Sequence, residues 1–257
     1  MQRLVFGALV AFSANGMAVA APTNLSTWTA EGPGNWVRAA DNNSVTQTLN
    51  GNPTVFYSDF AAQGTRLSGT VKVNSSSDDD FFGFVLGFKP GELSAATSDF
   101  LLVDWKQIDQ GSFGGTAKKG LALSRVTSGL ANSSGAWWHN PADGVTELAR
   151  GATLGSTAWV DFQTYTFDIQ FTASNVKVFV DNVLQFDVNG TFSDGRFGFY
   201  NYSQAQVIYA GISDEPLPPP PPPPPAVPEP ASWTLMIAGF ALAGATARRR
   251  SRRIVLA

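Results

Sequence analysis

Cysteine is absent from the 257 residues, which excludes disulfide staples, thiol catalysis and zinc sites built on thiolates. Histidine occurs once, as His139, so no multi-histidine metal site can form. Without disulfides the chain must rest on its hydrophobic core, and 44% apolar residues is enough to build one. Charge is also sparse, at 14% of residues, and unevenly placed. Arg3 and five arginines near the C terminus are six of the 17 basic residues, and Glu229 is one of the 20 acidic ones. The middle of the chain therefore holds 11 basic and 19 acidic residues, a net of −8 against −3 for the whole. A body this acidic repels phosphate backbones and anionic lipid, which argues against nucleic acid as a partner.

The two ends read as addresses. Over residues 1–20, Arg3 gives a short positive start, Leu4 to Phe12 is apolar, and Ala18-Val19-Ala20 supplies a small-x-small cleavage pattern. This is the make-up of a secretory signal helix, too short to span a bilayer. At the other end, within a linker over 215–226, Pro218 to Pro225 is unbroken proline. Proline fixes φ and lacks a backbone donor, so these residues are expected to form a polyproline II rod, roughly 25 Å long at about 3.1 Å per residue. Val227, Pro228, Glu229 and Pro230 follow, then an uncharged stretch over 231–247, then Arg248-Arg249-Arg250-Ser251-Arg252-Arg253. The stretch is expected to be a hydrophobic, membrane-spanning helix with the arginines on the cytoplasmic side.

Between them, residues 21–214 alternate with period two and meet turn residues every ten or so positions. Tyr165, Phe167, Ile169 and Phe171 fall on one face of a strand, and Val176, Val178 and Val180 lead through Asp181-Asn182 into Val183, Leu184, Phe186 and Val188, a hairpin pattern. No helical period stands out. Some twelve short strands are expected, in an all-β, two-sheet antiparallel sandwich.

The candidate chemistry is limited. Asp78, Asp79 and Asp80 follow the polar run Asn74-Ser75-Ser76-Ser77. Three adjacent acids on a loop suit calcium, which takes six to eight oxygens, and equally suit a solvated acidic turn. Asp104, Asp109 and Asp194 are weaker candidates, expected to face solvent. His139 is expected to be structural beside Trp137 and Trp138, whose rings belong either to the core or to a sugar-stacking platform. No Gly-x-Ser-x-Gly elbow is present to hold a nucleophile.

Two resemblances sharpen the reading. Val227-Pro228-Glu229-Pro230, the apolar stretch and the basic end, over 227–257, resemble the PEP-CTERM sorting signal of Gram-negative bacteria. That implies recognition by an exosortase, removal of the hydrophobic segment, and a secreted or cell-surface protein held transiently in the inner membrane. A plain C-terminal anchor is the alternative. Asn35-Trp36-Val37, Gly69-Thr70-Val71-Lys72-Val73-Asn74, Asp78-Asp79-Asp80-Phe81-Phe82-Gly83-Phe84, Trp105-Lys106-Gln107, Trp138-His139 and Gly195-Arg196-Phe197-Gly198-Phe199-Tyr200 occur in the order found in the thrombospondin C-terminal domain. The resemblance implies a concanavalin A-like, L-type lectin-like jelly roll, with calcium at the Asp78–Asp80 loop. It implies a non-enzymatic adhesion module for a glycan or a surface or matrix protein. A glycoside-processing enzyme on the same fold, or a purely structural matrix protein, are the alternatives. Glu31, Glu92, Glu147 and Glu215 are scattered in loop-like contexts, without the Glu-x-Asp-x-Glu strand of laminarinase-type enzymes. Asp104, before Trp105-Lys106-Gln107, departs from the family's apolar residue, and the family's cysteines are missing, so animal receptor binding does not carry over.

Overall fold

The structure, a computed structural model, describes residues 21–218 and 232–254. The signal expected at 1–20, most of the proline run and the sorting residues 227–230 lie outside the described residues. The chain divides into two compact units between Leu217 and Pro218.

The first unit is all β, as its alternation requires. Four short strands open it: β1 (Thr29–Glu31), β2 (Trp36–Arg38), β3 (Val45–Gln47) and β4 (Thr54–Tyr57). Long strands follow, β5 (Thr65–Val73), β6 (Phe81–Phe88) and β7 (Phe100–Lys106), then a small hairpin of β8 (Gln110–Ser112) and β9 (Gly115–Ala117). After β10 (Gly120–Val126) comes helix α1 (Ser134–Trp138), whose five residues are too few to show a helical period in the sequence. β11 (Val145–Arg150), β12 (Thr164–Phe171), β13 (Asn175–Val180), β14 (Val183–Asn189), β15 (Arg196–Tyr202) and β16 (Val207–Pro216) complete the unit. The surplus over twelve comes from the three-residue strands.

All pairings are antiparallel. One sheet runs β1-β4-β15-β6-β7-β10-β11, the other β14-β13-β12-β5-β16-β3-β2. Burial along β12 follows the expected register: Tyr165, Phe167, Ile169 and Phe171 are buried, while Asp168 on the opposite face meets Arg66. The β13–β14 hairpin also forms as read, with Val180 opposite Val183 and both Asp181 (φ 48°) and Asn182 (φ 62°) left-handed, as a type I′ turn needs.

The first sheet departs from a one-sided pattern. Every residue of β6 and β7 is buried. Phe82, Phe84, Leu101, Val103 and Trp105 fill the space between the sheets. Phe81, Val85, Phe100 and Leu102 point the other way, into a second core roofed by Trp137 of α1 and by Leu93 and Leu130 of the flanking loops. Gly87, at φ 76°, is the extra residue of a bulge between β6 and β15, and it turns Phe88 into this second core.

Strand directions gather the connections after β5, β7, β11, β13 and β15 at one pole. Hydrogen bonds tie them there: Gln107 N–H donates to the Asp79 carbonyl (3.2 Å), Asn74 N–H to Gln206 (2.8 Å) and Phe162 N–H to Val73 (2.9 Å). β16 starts at this pole, with Val207 opposite Val73, and ends at the other, with Pro216 opposite Thr65.

The second unit contains the C-terminal hydrophobic helix, α2 (Ser232–Ile254). No helix among the described residues is long and apolar enough to cross a membrane; the span expected over 231–247 begins outside the described residues. Thr234, Gly239, Gly244 and Thr246 dilute the apolar run, and Arg248 and Arg249 continue the same helix.

Candidate functional site

The loop between β5 and β6 brings one oxygen from each of Asp78, Asp79 and Asp80 within 4.8 Å of one another. Their roles differ. Asp80 is buried and ion-pairs with Lys106, whose ammonium is fully buried at the end of β7. The same ammonium donates to Gln110 Oε1 (2.9 Å), lies 3.8 Å from Asp79 Oδ1, and sits 4.7 Å from the ring centroids of Phe81 and Trp137. The Asp80 backbone is fixed as well: its N–H donates to Gln204 Oε1 (3.0 Å) and its carbonyl accepts from Trp159 Nε1 (3.2 Å). Asp80 is thus the inner, already compensated member of the triad.

Asp78 and Asp79 are half-buried and carry the remaining negative charge. Asp78 accepts from Asn50 Nδ2 and from the Asp79 N–H. Burial, followed by the charge of Asp80, pushes the Asp78 carboxyl up to about 6. Burial also raises Asp79, against the pull of Lys106. Two crowded carboxylates on a partly open loop are hard-oxygen donors that fit calcium, with water completing the six to eight positions.

A second charged group lies under α1. His139 caps that helix in a left-handed conformation (φ 58°) and is buried. Its Nε2 lies 3.0 Å from Asp104 Oδ2 and its Nδ1 3.2 Å from Glu147 Oε2, while Arg150 holds Glu147 at 2.7 Å. With a carboxylate at each nitrogen, the ring is an imidazolium donating both protons. Burial alone would depress the His139 pKa; the charge of Asp104 and the two hydrogen bonds outweigh it and hold it up at about 9. Burial would likewise raise Glu147, but His139 and Arg150 pull it down to about 2. The expectation that Asp104 faces solvent is therefore wrong: α1 covers the sheet where it stands, and it is 1% exposed. His139 is structural, as read, though held by carboxylates rather than only by the tryptophans.

Among the other sequence candidates, Asp194 sits apart from the acidic loop and accepts from the Gln63 and Gly195 N–H groups. Asp109 is exposed and pairs with Lys118 at 3.1 Å. Glu31, Glu147 and Glu215 belong to strands rather than loops. Asp104 and Glu147 are bridged by buried His139, which leaves no space for a glycosidic bond between them. Trp137 belongs to the second core, and Trp138 is half-buried with its indole N–H on Phe113 O (3.1 Å). Lys106 is the site residue that motif reading missed. Its signal was present: Asp104 and Lys106, two apart on an otherwise apolar strand, share one face.

Residues 31–215 match the family model described as thrombospondin C-terminal region, and residues 226–253 match the PEP-CTERM protein-sorting motif. Cartilage oligomeric matrix protein of Bos taurus is 28% identical over 194 residues, covering 69% of this chain and 25% of the relative. Thrombospondin-3b of Danio rerio is 26% identical over 196 residues, covering 69% and 20%. The chain thus spans a quarter or less of the length of these relatives. Among solved structures, a carbohydrate binding module from Bacillus subtilis superposes with a TM-score of 0.53 at 12% identity, over 75% of this chain and 97% of that one. At that identity the likeness concerns the lectin-like jelly-roll fold.

Proposed function

The chain belongs to the thrombospondin C-terminal family and carries a PEP-CTERM sorting motif behind that domain, and from this premise we propose that it is an exported, non-enzymatic cell-surface module of a Gram-negative bacterium that associates with calcium and binds a glycan or a surface or matrix protein. The observation that carries the calcium association is the crowding of Asp78 and Asp79 against Asp80, with the Asp78 carboxyl already pushed up to about 6. Asp78 and Asp79 would hold the ion while Asp80 stays on Lys106. Bound there, calcium supplies the positive charge that lets both outer carboxylates ionise. The surrounding connections are hydrogen-bonded to this loop through Gln107, Gln204 and Trp159, so the loop fixes their positions.

Calcium that binds only the folded state stabilises it by RT ln(1 + [L]/Kd), about 2.7 kcal/mol at a hundredfold excess over Kd. Thermal melts with calcium and with chelator should differ accordingly. The double variant Asp78→Asn, Asp79→Asn should melt at one temperature in both. An undiminished calcium shift in that variant would remove the loop as the site.

Sorting rests on the order of the four residues Val227, Pro228, Glu229 and Pro230, hydrophobic helix and arginines. The exosortase is the implied partner, with the mature protein released or attached at the surface. In a host with the exosortase system, intact-mass measurement should show loss of the hydrophobic segment. Mature protein that still carries Trp233 to Arg250 contradicts exosortase processing.

A further inference from the structure

The pole that carries the acidic loop also bears a cleft of about 480 Å3, between the turn after β7 and the connection from β11 to β12. This volume is in the range of small-molecule sites, about 300–1,000 Å3. Its walls mix three kinds of surface. Ile108 and Val160 are apolar and 43% and 53% exposed. Asp161 uses Oδ1 to accept from Gln107 Nε2 (3.2 Å), and its Oδ2 makes no hydrogen bond among the described residues; the Lys119 ammonium makes none there either, though its charge acts on Asp109. Among the described residues the peptide N–H groups of Ile108, Ala158 and Trp159 make no hydrogen bond either.

Phe162 adds an independent sign. It follows Asp161, is 55% exposed and is held at φ 62°. A bulky residue in the left-handed region, with its ring in water, is a conformation the fold must impose. Strain of this kind concentrates at ligand contacts.

We propose that this cleft is a saccharide-binding site, taking one pyranose-sized unit of a neutral glycan, with Phe162 offering a ring at its rim. A sugar ring has apolar C–H faces and an edge of hydroxyls that both donate and accept. The cleft supplies an apolar wall, unused donors on peptide groups and Lys119, and an unused acceptor on Asp161. A purely apolar ligand would leave those groups unpaired, and an anionic one would meet Asp109 and Asp161. A second cleft, about 510 Å3 beside Leu93 and Leu130, is walled by uncharged residues and has no such charged pair.

This inference rests on the binding-module reading above and assigns it a place and a ligand class. The test is an array of neutral oligosaccharides of glucose, mannose, galactose and fructose, probed with the purified full chain. Ile108→Arg and Val160→Arg plug the cleft from exposed positions, and Phe162→Gly removes the ring. Val37→Arg, exposed on β2 away from this cleft, is the control. Glycan signal should fall at least tenfold in both plugging variants and hold in the control. Phe162→Gly should also lose signal while its melting temperature rises, since glycine accepts φ 62° freely. Glycan binding that survives both plugging variants would overturn this site while leaving a lectin-like module elsewhere on the domain. No bound oligosaccharide from any of the four sugars would overturn the glycan reading itself, and this site with it.

Discussion

Asp80→Ala should destabilise the domain by about 3–5 kcal/mol, because it leaves the buried Lys106 ammonium without its partner. The remaining neighbours are weak substitutes: Gln110 supplies one neutral acceptor, Asp79 stands 3.8 Å away, and the faces of Phe81 and Trp137 offer cation–π contact. Removing both charges should recover most of the loss, so Asp80→Leu with Lys106→Met should approach or exceed the wild type. Asp78→Asn is the contrasting case. Its carboxylate is desolvated and crowded by Asp80, so without calcium the amide should be neutral or slightly stabilising. Urea unfolding of the four proteins in chelator decides it. A loss below about 1 kcal/mol in Asp80→Ala, the range of exposed ion pairs, contradicts the inner ion pair.

The second large effect is on pH. The folded pKa of His139, about 9, lies above its ordinary value of 6.5. Its contribution is therefore fully present below about pH 6.5 and lost as pH rises through 9. A shift of that size corresponds to about 3 kcal/mol. Glu147 acts with the opposite sign: its folded pKa, about 2, is below its ordinary value of 4.5. Its stabilisation is present above about 4.5 and fades as pH falls towards 2. Stability at this site should therefore plateau between roughly pH 4.5 and 6.5 and decline on both sides. Because the chain has one histidine, the imidazole Cε1 proton gives a single, assignable NMR titration in untagged protein. A midpoint near 9 in the wild type, falling below 6.5 in Asp104→Asn, is expected. A wild-type midpoint near 6.5 contradicts the carboxylate clamp.

How much of this could be read beforehand depended on sequence separation. β12 and the β13–β14 hairpin were legible because period two and the Asp181-Asn182 turn are local signals. The acidic loop was legible for the same reason. Its counter-ion was not: Lys106 lies 26 residues from Asp80, and only the pairing of β6 with β7 brings Phe81 opposite Lys106. Asp104 was misplaced because a strand pattern shows which residues share a face but not what covers it. The cover here is α1 with its flanking loops, whose five-residue helix leaves no periodic trace. The cleft at the loop pole was invisible for a related reason, since its two walls come from segments about fifty residues apart, joined by Gln107 and Asp161.

The direction of β16 carries one more consequence. Its ten residues run from the pole of the acidic loop to the opposite one, a distance of roughly 30 Å at about 3.4 Å per residue. The chain leaves the domain at Pro216, so any tether built from the following residues grips it by the base. The acidic loop and its neighbouring cleft lie at the end of β16 away from that exit. Reversing the connectivity, by circular permutation that places the new C terminus in the Asp181-Asn182 turn at the same pole, would keep the fold and the site but turn that end inward. A binding surface whose use depends on outward display should then lose capture of bulky ligands while retaining soluble ones.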